Sequence, residues 1–328
     1  MRFQSLEVRN LRAVERFAVA DLTDFIMIAG PNGCGKSCVF DAIRLLKSFY
    51  GGYQQDEHMQ WFGEFSINVQ DRHALRRLFR DPAVPMTVEG ILTFADDETD
   101  YLRSNVRELA WPVAWQRVTG QRLDPWVFNR MTIAPLLRQY QARIDEELAA
   151  IESAVDAALA KGPQTLRLEI NSDGRLATED CAPAEVMFQA FRPEHLGIIE
   201  YHSASRAYTR QEVGGITLDT RQFADQHRQQ TLYNWHQKYQ NVKTELAAAY
   251  VRNLIAAESG LPPGEGEDLN ETLKQLFQTF FPDKKYEGVQ PGPAGNLAFP
   301  VRLESGHAHD IDDLSSGEKE ILYGGSPR

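Results

Sequence analysis

Eight residues near the start of the chain, Gly30-Pro31-Asn32-Gly33-Cys34-Gly35-Lys36-Ser37, fit the pattern G-x-x-x-x-G-K-[ST] at every fixed position. Glycines in such a loop let consecutive backbone N–H groups turn inward and approach an anion that a Cβ would hold away. A helix opening at Lys36 adds unpaired N–H donors and the positive end of its dipole. In that arrangement the lysine ammonium reaches the outer phosphates of a nucleoside triphosphate, and the Ser37 hydroxyl ligates Mg²⁺. Residue types and spacing therefore point to a nucleotide bound with Mg²⁺, and the loop alone does not choose between kinases, GTPases, helicases and ABC-type ATPases. Cys34 and Cys38 are expected to be small packing residues, although a helix N-terminus does lower a thiol pKa.

The elements around the loop must hold it. Residues 24–29 (DFIMIA) form a short apolar run that predicts a buried strand leading into it. After Ser37, apolar residues at Val39, Phe40, Ile43, Leu46 and Tyr50 keep helical spacing until Gly51-Gly52 stops them. Ahead of the loop, residues 3–8 and 16–19 alternate apolar and polar, two half-buried strands with Asn10-Leu11-Arg12-Ala13 between them. Further strands are expected at 86–94, 165–170 and around 197–201, with a turn at 171–174. Apolar steps of three and four predict a helix over 132–160, closed by Lys161-Gly162-Pro163, and a second over 222–258. Heptads are too few to require a coiled-coil projection, so these helices are expected to pack as a lobe. Residues 261–267 read as a flexible loop and 290–296 as a turn joining two strands.

A second helix start lies near the other end, in Leu314-Ser315-Ser316-Gly317-Glu318. Ser315 and Glu318 have capping-box spacing, which leaves Ser316, the Gly317 amide and the helix dipole facing outward at an anion. The wording G-P-N-G-x-G-K-S, the opening E-V-R-N-L-R-A at 7–13 and L-S-S-G-E together resemble the heads of ABC-type ATPases, of the SMC-like and OLD-family group rather than the transporter group. The resemblance implies an α/β fold of the P-loop NTPase, ABC-ATPase type: antiparallel N-terminal strands, a P-loop core and a helical insertion. It implies an ATPase lobe at 1–100, a helical or short coiled-coil insertion at 101–260, and a return to the ATPase lobe at 261–328. It also implies that the 314–318 signature binds the γ-phosphate held by a second subunit, so that ATP is sandwiched in a homodimer or hetero-oligomer. By the same resemblance Arg12 touches the phosphates, Gln70 is a candidate sensor of Mg²⁺, Ser203-Ala204-Ser205-Arg206 follows a strand as in OLD-type heads, and DNA and a nuclease are expected partners. Taken as a bare residue, Arg12 reads more readily as a solvated turn arginine.

Hydrolysis in that family also needs an apolar strand ending Asp-Glu and a switch histidine beyond the signature. Only 11 residues follow Gly317, and neither Leu196–Glu200 nor His307 and His309 substitutes. The expectation is an N-terminal portion of a head, cut by truncation or frameshift, with weak or no turnover on its own. Two other functions stay open: a nucleotide-sensing subunit that recruits a partner without hydrolysis, and a P-loop kinase. The kinase would leave L-S-S-G-E unexplained.

Composition narrows the setting. Acidic residues outnumber basic ones 46 to 35, a net charge of −11, so the chain is no general polyanion binder. Arg72, Arg76, Arg77 and Arg80 form the one dense basic cluster, a solvated helix face or a local nucleic-acid contact. Three cysteines cannot build a disulfide framework, the N-terminus is too polar for a signal peptide, and no run approaches the ~18 apolar residues of a membrane span. A cytoplasmic protein without membrane contact is expected.

Overall fold

The alternation in the first twenty residues becomes a hairpin, β1 (Arg2–Leu11) and β2 (Val14–Val19), with Val8 opposite Phe17. The computed structural model describes residues 1–121, 130–202, 213, 215–216, 227–233, 242–259, 268–292, 296–315 and 317–319. The chain divides into two units, Met1–Ile199 and Glu200–Arg328. Both mix helices with antiparallel strands.

In the first unit β3 (Met86–Thr93), β4 (Gln164–Ile170) and β5 (Leu176–Thr178) extend the hairpin into an antiparallel sheet of order β2-β1-β3-β4-β5. Val8, Val88 and Leu168 stand side by side in register and are fully buried. Helix α1 (Lys36–Tyr50) contacts β1, β3 and β4. Gly90 on β3 permits this: a Cβ there would lie 2.7 Å from the Phe3 ring and 3.5 Å from a Leu46 methyl. A short helix, α2 (Glu57–Glu64), also packs on α1, and α3 (Arg72–Arg76) follows it, capped by the Asp71 carboxylate.

Helices α4 (Asp96–Leu109), α5 (Trp111–Thr119), α6 (Arg130–Ala160) and α7 (Ala182–Ala190) build a second core in this unit. Ile144, Leu148, Ile151, Val155 and Leu159 form the buried stripe of α6, so the long helix packs against its neighbours. Burying such a stripe is what stabilises a 31-residue helix whose opposite face is charged.

The second unit holds α8 (Val242–Glu258), α9 (Leu269–Phe280), β6 (Lys284–Tyr286), the pair β7 (Gln290–Pro291) and β8 (Leu297–Ala298), and the hairpin β9 (Pro300–Leu303) and β10 (Ala308–Asp310). Phe277, Tyr286, Phe299, Val301, Ile311 and Leu314 fill its core.

Three expected elements differ. Residues 24–29 pair with no strand among the described residues, and Phe25 and Met27 are each 77% exposed. Apolar composition favours a strand, but only a neighbour's ladder makes one. Residues 197–201 form no strand, and the Ile199 N–H donates to the Tyr53 hydroxyl at 3.0 Å. The helix expected over 222–258 is interrupted by a turn at 231–233, where Leu232 and Tyr233 are buried; α8 begins at Val242. Residues 222–226, 234–241, 203–206 and 261–267 lie outside the described residues.

Candidate functional site

The loop at 30–37 sits on the surface at the N-terminus of α1. Gly33 and Gly35 hold φ of 82° and 97°, a left-handed conformation that costs any other residue strain. Gly35 is the N-cap and brings no side chain, so no side chain caps the N–H groups of the first turn. A Cβ on Gly30 would stand 2.9 Å from the Cys34 sulfur, which explains a glycine there. The Lys36 ammonium donates to the Gly30 and Pro31 carbonyls at 2.7 and 2.8 Å. Asn32 and Ser37 are exposed, the latter in the first helical turn. Cys38 is buried as expected of a packing residue, whereas Cys34 is exposed.

The hairpin tip supports the loop from below. A Cβ on Gly35 would strike Val14 at 2.8 Å and approach Ala13 at 3.7 Å, so loop and tip meet closely. Beside that contact, Arg12 adopts φ 53°, pairs with Asp41 of α1 at 3.3 Å, and lies 4.4 Å over the Phe65 ring. Arg12 is thus half-solvated and braced against the helix that carries Lys36. Burial pushes the Asp41 carboxyl above its usual range, against the opposing pull of the Arg44 and Arg12 guanidinium groups.

Behind the loop, α1 is fixed by charges the helical stripe does not announce. Arg44 forks onto Glu64 of α2 at 2.8 and 2.9 Å, and its neighbour Trp61 donates an indole N–H to the Asp41 carbonyl at 2.8 Å. Lys47, completely buried, bonds both oxygens of Glu57 at 2.7 and 2.9 Å and sits 3.3 Å over the Tyr53 ring.

No protein-family model and no curated protein matches the chain.

The 314–318 segment belongs to the second unit. Leu314 is buried and anchors it, while Ser315 and Gly317 are exposed, and a Cβ on Gly317 would meet nothing. The capping box is formed: the Ser315 N–H donates to Glu318 at 2.8 Å, and the Glu318 N–H to the Ser315 hydroxyl at 3.4 Å. Burial alone would raise the Glu318 carboxyl, but hydrogen bonds from Lys284 and Ser315 outweigh it and hold the pKa below its ordinary value. Ser316 lies outside the described residues.

Other candidates are placed as follows. Gln70 is exposed in the turn before α3, its N–H bonded to the Asn68 side chain at 3.0 Å. Arg77 and Arg80 donate to the Ser66 and Ala13 carbonyls, and Arg80 pairs with Glu15 at 3.7 Å. His307 follows the β9–β10 turn and His309 lies in β10. Sequence reasoning missed a polar cleft of about 610 Å³ between the C-terminal end of α1, the start of α2, α5 and α7. It lies at the far end of α1 from Lys36, roughly 20 Å along the axis. A backbone cradle needs no cavity, so this cleft and the glycine loop need not coincide. Among the described residues no group of three His, Cys, Asp or Glu is placed to hold a metal, and no helix is long and apolar enough to cross a membrane.

Proposed function

We propose that this chain binds ATP·Mg²⁺ through residues 30–37 and associates, around that nucleotide, with a second copy or a related subunit in the manner of SMC-like and OLD-family ABC ATPase heads. The observation that carries the proposal is the start of α1. Two left-handed glycines, an N-cap without a side chain and a lysine ammonium resting on neutral carbonyls make a cradle for an anion. A triphosphate would draw the Lys36 ammonium from those carbonyls to charged oxygens, where hydrogen bonds are about twice as strong. Ser37 would ligate the Mg²⁺ that bridges the outer phosphates, and Arg12 stands beside the loop as a further cation.

The exposed Ser315 and Gly317 supply the complementary face for a partner's nucleotide. ATP binding and nucleotide-dependent association are the activities proposed. Coupling to DNA repair or phage defence, with DNA and a nuclease as partners, rests on the resemblance of the motifs. The experiment is a titration of a fluorescent ATP analogue with Mg²⁺ against wild type and Lys36→Ala, with sedimentation velocity run on the same samples. Saturable binding lost in the variant, and a nucleotide-dependent shift to dimer, are expected. Equal binding by both proteins sinks the assignment of the loop.

A further inference from the structure

The 314–318 turn hangs from two lysines that no motif includes. Lys243, near the start of α8, is 7% exposed and extends its ammonium to the carboxylates of Asp310 and Asp312 at 2.5 and 2.6 Å. Asp310 is the cap of the short 3-10 turn Ile311–Asp313 that delivers the chain to Leu314, and it accepts the Asp312 N–H at 2.9 Å. Lys284, on β6, pairs with one oxygen of Glu318, whose other oxygen caps the Ser315 N–H. Lys319 closes the arrangement by donating to the Asp312 carbonyl at 2.7 Å. Two successive turns are thus each held by a cation from a different element.

We propose that Lys243 and Lys284 are positioning residues: they hold the Ser315–Glu318 helix start at a fixed angle for the partner's nucleotide. The inference rests on the association proposed above. The physical ground is that a carboxylate cap holds its geometry only while its rotamer is held. Glu318 has several rotamers open to it on an exposed turn, and the Lys284 ammonium selects the one that caps Ser315. Lys243 does the same for Asp310 and Asp312, and being desolvated it does so with little freedom. Neither lysine touches nucleotide, and both act through the turn.

The test uses the full chain with Lys284→Met, Lys284→Arg and Lys243→Met. Lys284 is the primary site because its side chain is still 17% exposed and its loss leaves the core intact. Three readouts are taken: ATP-analogue binding, nucleotide-dependent association, and amide hydrogen exchange over 310–319. Lys284→Met is expected to bind the analogue within about twofold of wild type, to speed exchange at Ser315–Lys319 severalfold, and to weaken association about tenfold or more. Lys284→Arg, which keeps the cation, should restore most of both losses, an outcome a merely structural role does not predict. Faster exchange with unchanged association overturns the inference while leaving ATP-dependent association standing. Unchanged exchange in Lys284→Met overturns it as well. A wild-type protein that binds the analogue but never associates removes the association and this inference together.

Discussion

Replacing Lys47 by methionine isolates the charge network that holds α1. Lys47 and Glu57 are 0% and 1% exposed, and their two contacts are 2.7 and 2.9 Å long. Methionine fills nearly the same volume but leaves the Glu57 carboxylate buried, with the Tyr53 N–H still donating to it at 2.7 Å. Breaking one partner of a buried pair costs about 3–5 kcal/mol, because an uncompensated charge remains in a low-dielectric site. For a unit the size of Met1–Ile199, each kcal/mol moves the melting temperature by about 2–4 °C, so a fall of roughly 10 °C is expected. The double variant Lys47→Met/Glu57→Gln keeps an acceptor for Tyr53 and removes the orphaned charge, so it should recover most of that loss. Differential scanning calorimetry of the four proteins closes the cycle. Below its melting temperature Lys47→Met should still bind the ATP analogue, since the first turn of α1 is untouched. A single variant melting within about 2 °C of wild type, or a double variant as unstable as the two singles added, would refute the buried-pair reasoning.

Lys36→Ala should weaken ATP-analogue binding by about 10–100-fold, the worth of one charge-assisted contact, with no change in melting temperature because its present partners are loop carbonyls. Gly35→Ala should destabilise the first unit by about 1–2 kcal/mol or more, from the 97° φ and the 2.8 Å approach to Val14; urea midpoints with Gly33→Ala as the unobstructed control separate the two causes. Burial pushes the Cys181 thiol up to about 11, so at pH 8 only about a thousandth is thiolate, whereas Cys34 is exposed. A chromogenic disulfide reagent should therefore label one thiol fast in native protein and none in Cys34→Ser, with Cys181 gaining reactivity only as pH rises towards 11.

What was legible in the sequence was local. The glycine loop, the helix after it and the Ser315–Glu318 cap are decided by neighbours within a few positions, and φ values at Gly33 and Gly35 follow from the residue type. Residues 24–29 were misread because a strand is a relation between two segments, and an apolar run specifies only one of them. The face of α1 was misjudged for a related reason. The apolar stripe includes Phe40, which is 46% exposed, and omits Asp41, Arg44 and Lys47, which are buried. Their acceptability inside depends on Glu57 and Glu64, 10 and 20 positions further on.

The two helix starts proposed to face anions differ in how they are stiffened, and that difference bears on the proposed mechanism. At Gly35 the backbone itself is constrained: this left-handed glycine is wedged against Val14, and the helix behind is locked by Arg44 and Lys47. Such a cradle can meet a phosphate without reorganising, which favours tight binding in isolation. At Ser315 the geometry depends on side chains reaching in from α8 and β6, 72 and 31 positions earlier. Its shape is therefore conditional on the fold of the second unit. A receptor that is rigid on one side and tunable on the other would let nucleotide bind first and association follow. Variants at Lys284 should consequently move the second step and spare the first, whereas variants at Gly35 should impair both.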